Sequence, residues 1–398
     1  MHTVFVRHRR QILSVAIAAA VGNIAWCGRA AAIPLSLVFP PLALGQRNRA
    51  ASFAVAFAYY AGASWPLIPG ARVFFGPYAT VALAVLLWIA AACILAAPWA
   101  MMGSVSNDRS PWRGPLALAI AAVPPIGIIG WASPLTSAGI LFPGTKWLGL
   151  IGTMALSGLG AAFPKSTLCA AVIAATAAHA IHHGKVAPPP TWEAVDTEFG
   201  GAGFGPRDPL SDFAAAQWIQ NKALESRARV IVFPESAVPR WNEATQMFWQ
   251  PTLARLKASG KTIVLGAGIS KPGTEQFENV LVIRGAQNGP DLPQRIPVPI
   301  GMWRPGTASG VPMHPWGSGT VSIAEERVAV LVCYEQLLVW PVFTAELQHP
   351  TVILGIANDY WAAGTRIPEV QSAAVTAWAK LFGIPKLTAT NSARRELV

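Results

Sequence analysis

The sequence predicts a two-part chain: a multi-span α-helical membrane domain over residues 1–185, a linker over 186–209, and an α/β domain over 210–398. Three observations predict it. Of the 398 residues, 53% are hydrophobic and only 12% are charged, with a mean hydropathy of +0.41. An ordinary soluble domain is about one quarter charged. The charge also divides the chain: residues 1–185 hold twelve Lys and Arg against one acid, Asp108, whereas 186–398 hold eighteen of each sign. Finally, the second part alternates short apolar runs with segments of helical spacing, the pattern of an α/β domain.

The first part opens with a basic head, Arg7, Arg9 and Arg10, followed by an apolar run. A signal peptide opens the same way, but further apolar segments follow, so the first reads as a retained anchor. Candidate spans lie at about 11–28, 30–46, 51–70, 76–102, 115–133, 146–163 and 166–183, each near the roughly 20 residues that cross a bilayer. Pro34, Pro40 and Pro41 make the second the weakest. Arg7, Arg9 and Arg10, then Arg47 and Arg49, then Arg109 and Arg113, then Lys165 fall at alternate ends of these spans. The positive side faces the cytoplasm. Seven crossings then put the second part in the periplasm, and six would leave it in the cytoplasm. The expected location is the inner membrane, with the lipid bilayer as partner. His179, His182 and His183 close the last span. They read as a metal-binding cluster or, more simply, as interfacial polar groups.

The second part begins with Pro188, Pro189 and Pro190, a stiff exit. Residues 191–209, with four glycines, read as flexible, and 213–225 as a helix. Runs at 229–233, 261–268, 279–284, 327–332, 350–358 and 384–391 read as strands. Residues 293–305 read as a proline-punctuated loop, and 368–382 as a helix. Equal numbers of each charge leave no basic excess for phosphates, so no direct nucleic-acid binding is expected. No cofactor is expected either.

Three strands end in reactive groups: Glu235 after Phe233-Pro234, Cys333 with Glu335, and Asn358-Asp359. Cys333 is the only cysteine after Cys169, so this part forms no internal disulfide. A lone strand-end cysteine is usually a small buried hydrophobe. As a nucleophile it needs a base, because a free thiol titrates near about 8.5. His314 and His349, the histidines of this part, sit in no strand-end motif. That leaves a carboxylate, and Glu235 is the candidate.

Taken in order, these motifs resemble the carbon–nitrogen hydrolase (nitrilase) superfamily, and within it the membrane branch, apolipoprotein N-acyltransferase. The matching pieces are Phe233-Pro-Glu-Ser-Ala-Val-Pro239, Val298-Pro-Ile-Gly-Met-Trp-Arg-Pro305, Cys333-Tyr-Glu335, Asn358-Asp-Tyr-Trp361 and Thr388-Ala-Thr-Asn391. They cover roughly residues 210–393, and the first part matches in character. The resemblance implies a nitrilase-like αββα sandwich and a Glu–Lys–Cys triad. Carried over, Glu235 is the general base and Cys333 the nucleophile, with Tyr334, Glu335, Asn358 and Trp361 supporting the pocket. The family lysine falls on Gln294 here, with Arg295 beside it as a candidate replacement cation and Lys271 as a remoter one. A second family acid is replaced by Met302. The chain is also similar to conjugal-transfer membrane proteins of rhizobial-type plasmids, which join the same two parts. That similarity implies other conjugal transfer proteins as partners.

Two functional expectations follow. In one, Cys333 and Glu235 carry out acyl transfer or amide hydrolysis through a thioester, on a phospholipid or membrane-protein substrate. In the other, the chain is a catalytically degenerate structural component of the mating apparatus, because the lysine is missing.

Overall fold

The computed structural model of the protein describes residues 2–76, 80–103, 110–182, 184, 186–200 and 209–393, with side chains from Arg9 onward. Its contacts divide the chain into two compact units. One comprises Met1–Lys185 with Leu337–Trp340 and Thr365–Gly383; the other comprises Val186–Gln336, Pro341–Gly364 and Ile384–Val398. The expected single domain over 210–398 is therefore interrupted twice by segments that pack with the helical unit.

The first unit is helical. Its helices are α1 (His2–Ala25), α2 (Phe39–Leu44), α3 (Arg49–Ser64), α4 (Leu67–Phe75), α5 (Val81–Met102), α6 (Arg113–Ala122), α7 (Ala138–Leu141), α8 (Trp147–Ala162) and α9 (Pro164–Ile181). Local chemistry sets several starts. The side chain of Asn48 accepts from Ala51 N at 2.8 Å to cap α3, and that of Thr80 accepts from Leu83 N at 3.1 Å to cap α5. Pro164 occupies the first turn of α9, where a missing N–H does no harm.

Small residues set the helix crossings. A Cβ on Gly22 would overlap the carbonyl oxygen of Tyr59, and one on Gly62 that of Ala19, so α1 and α3 meet backbone to backbone. Gly158 of α8 meets the Pro111 carbonyl in the same way, and Gly139 of α7 meets that of Ala377. Ala377 belongs to the later segment Thr365–Gly383, which is also held at its start. Arg366 donates to Asn23 O at 3.1 Å and lies 5.1 Å from the Trp65 ring.

This unit buries several hydrogen-bonded polar groups and leaves much of its apolar bulk outside. Buried Trp26 donates to Tyr59 Oη at 2.9 Å, and Tyr59 donates to Ala132 O at 2.9 Å. The hydroxyls of Ser36 and Ser137 lie 2.9 Å apart, both buried. Leu13, Leu86, Leu148, Leu168, Ile173 and Ile181 are each more than half exposed.

The expected spans are only partly continuous helices. Among the described residues, Val81–Met102 is long and apolar enough to cross a bilayer, and Arg49–Ser64 with Leu67–Phe75 forms a second candidate bent by 56°. The 30–46 stretch is a 3-10 helix, Ala30–Val38, followed by the short α2, because Pro34, Pro40 and Pro41 withhold backbone donors. The 115–133 stretch is helical only to Ala122, where Pro124 and Pro125 intervene. The irregular residues 130–133 and the 3-10 turn Pro134–Ser137 that follow are all buried.

The second unit is an α/β sandwich. It contains β1 (Trp192–Ala194), α10 (Pro209–Glu225), β2 (Val230–Val232), α11 (Glu243–Ala258), β3 (Thr262–Ser270), β4 (Glu275–Gly285), β5 (Leu292–Pro293), β6 (Ser309–Gly310), β7 (Thr320–Ile323) and β8 (Glu326–Val332). After β8 come α12 (Val339–Glu346), β9 (Val352–Asn358), α13 (Ile367–Phe382) and β10 (Lys386–Asn391). One sheet runs β1-β2-β3-β4-β5 with β6 on β4, and the other runs β10-β9-β8-β7. The sheets pack through Val230, Val232, Val264 and Leu281 on one side and Val328, Val330, Val332 and Leu354 on the other. Alternation puts Ile231, Phe233, Ile263 and Leu265 on the outer face of the first sheet, against Ile219 of α10 and Trp249 of α11. Trp192–Ala194, expected to be flexible, pairs in parallel with Val230–Val232. Of the helices expected beside the second sheet in an αββα order, most of α12, in the crossover from β8 to β9, belongs to this unit, whereas α13, in the crossover from β9 to β10, belongs to the first.

Two glycines of α8 test the close crossings. Gly158→Ala overlaps the Pro111 carbonyl and should destabilise the full chain by about 1–3 kcal/mol. Gly160→Ala meets its nearest neighbour at 3.8 Å and should be neutral or stabilising by up to about 1 kcal/mol. Unfolding midpoints of the detergent-solubilised variants give the comparison.

Candidate active site

Glu235 is positioned by the way β2 ends. Pro234 has no N–H for a ladder, yet the chain stays beside β3: Phe233 N donates to Val264 O at 2.8 Å, Gly266 N to Pro234 O at 3.1 Å and Val238 N to Gly266 O at 3.1 Å. Gly266 permits the approach, since a Cβ there would lie 2.5 Å from the Pro234 oxygen. Ser236 then takes φ +56, turning the chain so that Glu235 stays inside.

Cys333 sits where β8 turns into a 3-10 helix, Cys333–Leu337, with φ +47. A non-glycine residue in the left-handed region is strained by roughly 1–3 kcal/mol. The surroundings hold the turn. The Glu335 carboxylate accepts from Val332 N at 2.9 Å through one oxygen and from Arg295 N at 2.7 Å and Ile296 N at 3.0 Å through the other. One buried side chain thus ties the nucleophile turn to the 294–296 loop.

The Glu235 carboxylate is the centre of the site. It accepts from Asn279 Nδ2 at 2.6 Å, from Asn358 N at 2.9 Å and from the Cys333 thiol. Burial, partly offset by these three donors, pushes its pKa up to about 7. The thiol is pushed well above the usual range, first by burial and then by the negative charges of Glu235 and Asp359. A base that titrates near neutral pH is therefore hydrogen-bonded to a thiol that resists ionisation.

The position expected for the family lysine holds an amide. Gln294 is 1% exposed; its Oε1 accepts from Asn279 Nδ2 at 2.9 Å and its Nε2 donates to Val332 O at 3.2 Å. Arg295, the expected replacement cation, is turned elsewhere. Its guanidinium donates to Pro341 O at 2.9 Å, Thr344 Oγ1 at 2.7 Å and Val330 O at 3.1 Å, and its Nε lies 3.7 Å from Glu335. The bonds of Arg295 thus go to the end of β8, to α12 and to Glu335 rather than to Glu235, which makes it a structural cation. Lys271 pairs with Glu278 at 2.8 Å and is partly exposed.

Asn358 supports the site with its backbone. Its side-chain oxygen accepts from Asn391 Nδ2 at 2.8 Å, across the β9–β10 register that sets the two residues opposite each other. Asn391 in turn accepts from Thr197 Oγ1 at 2.8 Å and Phe199 N at 2.9 Å. Tyr334 and Trp361 are half-buried on the turns that follow Cys333 and Asn358. Asn279 is the residue that sequence reasoning missed; the signal was a polar residue at the head of the buried apolar run Val280–Ile283 of β4. His179 bonds Ile140 O at 2.9 Å and His182 bonds Ala178 O at 3.3 Å, while His183 lies outside the described residues. Among the described residues, no group of three or more His, Cys, Asp or Glu side chains is arranged to hold a metal.

The class these features define is a two-part protein: a helical unit with an apolar exterior, and an α/β sandwich with a buried cysteine–glutamate pair at its strand ends. No family model matches the chain. It is 34% identical to the conjugal transfer protein TraB of Agrobacterium fabrum, over 96% of this chain and 93% of that one. It is 32% identical to the probable conjugal transfer protein TraB of Sinorhizobium fredii, over 94% and 96%. The chain belongs to the TraB family of conjugal transfer proteins. Among solved structures it is similar to a nitrilase-superfamily amidase of Nesterenkonia, at 15% identity and TM-score 0.33, over 50% of this chain and 74% of that one. It is also similar to a carbon–nitrogen hydrolase of Helicobacter pylori, at 10% identity and TM-score 0.36, over 45% and 68%.

Because the carboxylate accepts the thiol proton, alkylation of Cys333 should slow as pH falls through about 7 and Glu235 becomes protonated. Glu235→Gln should abolish that limb and leave only reaction at high pH. Peptide-resolved mass spectrometry after iodoacetamide measures it, and a wild-type profile with no change near neutral pH would refute the assignment. Arg295→Gln should lower stability by about 3–5 kcal/mol, since it leaves Glu335 buried without its cation; chemical denaturation reads this loss.

Proposed function

We propose that this chain is a membrane protein of plasmid conjugal transfer whose α/β unit carries out cysteine-dependent acyl transfer or amide hydrolysis. The observation that carries the reading is the hydrogen bond between the Cys333 thiol, on its strained turn, and a carboxylate held near pKa 7. Cys333 Sγ attacks an acyl carbonyl and its proton passes to Glu235. The tetrahedral intermediate collapses, the leaving alkoxide or amine takes that proton, and a thioester remains. Water or an acceptor amine then attacks, with Glu235 taking its proton and returning one to the departing thiolate.

The membrane assignment is supported by the distribution of polarity in the first unit. Irregular backbone is tolerated in hydrocarbon only where protein covers it, and the irregular residues 130–133 are buried while large apolar side chains of α1, α5, α8 and α9 are exposed. In this reading the unit is multi-pass in the inner membrane, and basic residues clustered at alternate ends of seven crossings would orient the α/β unit toward the periplasm. A phospholipid or membrane-protein acyl group is then the natural substrate, and other conjugal transfer proteins are the natural partners.

A second reading is favoured by one observation: Gln294 is neutral where the nitrilase superfamily has its lysine, and Arg295 is engaged elsewhere. In it the unit is a scaffold of the mating apparatus. Plasmid transfer from a donor deleted for this protein and complemented with variants separates the two. With membrane abundance matched, Cys333→Ala should transfer at the level of the deletion, and Glu235→Gln should reduce transfer by roughly 10²-fold. Full transfer by Cys333→Ala leaves the scaffold reading.

A further inference from the structure

Glu235 is a buried carboxylate whose partners are all neutral. Asn279 Nδ2, Asn358 N and the Cys333 thiol donate to it, and it makes no salt bridge among the described residues. Taking the thiol proton would move the negative charge from Glu235 to sulfur without removing it. A buried negative charge needs a cation nearby. The two cations expected from the sequence supply none, since Arg295 serves Glu335 and α12, and Lys271 serves Glu278.

An independent observation concerns a side chain bonded to this carboxylate. Asn279 is 1% exposed, and its orientation is fixed because Nδ2 donates both to Glu235 and to Gln294 Oε1, at 2.6 and 2.9 Å. Its Oδ1 accepts no hydrogen bond among the described residues. An unmet buried acceptor costs about 1–3 kcal/mol. The Gln294 Oε1 retains a second lone pair. The Glu235 and Gln294 oxygens thus both lie within hydrogen-bond reach of Asn279 Nδ2, and the unmet oxygen belongs to the same buried side chain. This is an acceptor set without a donor, and it lacks positive charge. A water or hydroxyl would satisfy Asn279 but not the charge, whereas a primary ammonium supplies both, with three N–H groups.

We propose that Glu235, Asn279 and Gln294 form a binding site for a primary ammonium group, which supplies the cation missing at position 294. The site rests on the reading of Cys333 as nucleophile and Glu235 as base. With the ammonium bound, transfer of the thiol proton to Glu235 leaves a thiolate, a neutral acid and a cation, so the buried charges sum to zero. The chain is then a thiol enzyme accelerated by its ligand: without an amine only the slower, Glu235-assisted reaction of Cys333 remains.

The test is site-resolved alkylation of Cys333 by iodoacetamide in the detergent-solubilised full chain at neutral pH. Peptide mass spectrometry separates it from Cys27, Cys93 and Cys169. Methylammonium chloride should accelerate the reaction saturably, by about tenfold for each pKa unit the thiol falls. Tetramethylammonium and sodium chloride at equal ionic strength should not, since neither has an N–H. Gln294→Lys, with a tethered ammonium, should react fast and ignore methylammonium. An unchanged wild-type rate in methylammonium, with Gln294→Lys reactive, overturns the ammonium site and leaves the nucleophile standing. Inert Cys333 in both proteins overturns the nucleophile and the site together. If Gln294→Lys does not fold, the wild-type comparison of methylammonium with tetramethylammonium decides alone. A substrate-borne amine and free ammonium share this chemistry, and acylation separates them. Faster transfer to Cys333 from p-nitrophenyl 4-aminobutyrate than from p-nitrophenyl butyrate, without added amine, identifies the first. Butyrate transfer that requires methylammonium identifies the second. Equal transfer that ignores methylammonium overturns the site.

Discussion

One buried carboxylate organises the α/β unit. Glu235 comes from the end of β2, and its hydrogen-bond donors come from β4, from the turn after β8 and from the end of β9. A carboxylate without water is unstable unless donors surround it, so all four segments must arrive together. That requirement explains local features with no other evident purpose. Gly266 lets the Pro234–Glu235 backbone lie against β3, and Cys333 accepts a left-handed turn that few side chains adopt. Neutral donors offset only part of the burial, which is why Glu235 titrates near neutral pH.

The second buried acid, Glu335, has a different task because its surroundings differ. It accepts three backbone N–H groups and has a guanidinium 3.7 Å away. Three backbone N–H groups from two segments meet on it, so Glu335 acts as a fixed clamp on the nucleophile turn. Adjacent carboxylates thus divide into a proton acceptor and a strut according to their donors. Arg295 falls on the structural side of that division, and the amides of Asn279 and Gln294 fall on the other.

The helical unit obeys a different constraint. Its helices approach where glycine leaves backbone against backbone, as at Gly22, Gly62, Gly139 and Gly158. Dispersion across these close approaches, with hydrogen bonds inside, holds such contacts. The segment Thr365–Gly383 joins this packing through Ala377 and Arg366, although in sequence it links β9 to β10. The strands that carry Asn358 and Asn391 are therefore tethered through the helical unit by covalent chain. Cutting the protein at residue 185 would strip α13 of its packing partners.

Composition and spacing by themselves determined that an apolar, positively charged half precedes a charge-balanced α/β half, because burial and strand periodicity are written residue by residue. They also determined the strands ending at Glu235, Cys333 and Asn358, since an apolar run that stops at a proline or a polar cluster has few alternatives. Only the tertiary structure decided which side chains meet. Arg295 and Gln294 are neighbours in sequence, and an extended chain sends them to opposite sides, so one reaches α12 and the other reaches Asn279. Asn279 lies 44 residues from Glu235, and no local pattern reports a contact at that separation. Proline-broken apolar runs show the same limit: hydropathy marks 30–46 and 115–133 as buried in something, while the missing N–H groups and the neighbouring helices decide that they are short helices and irregular turns.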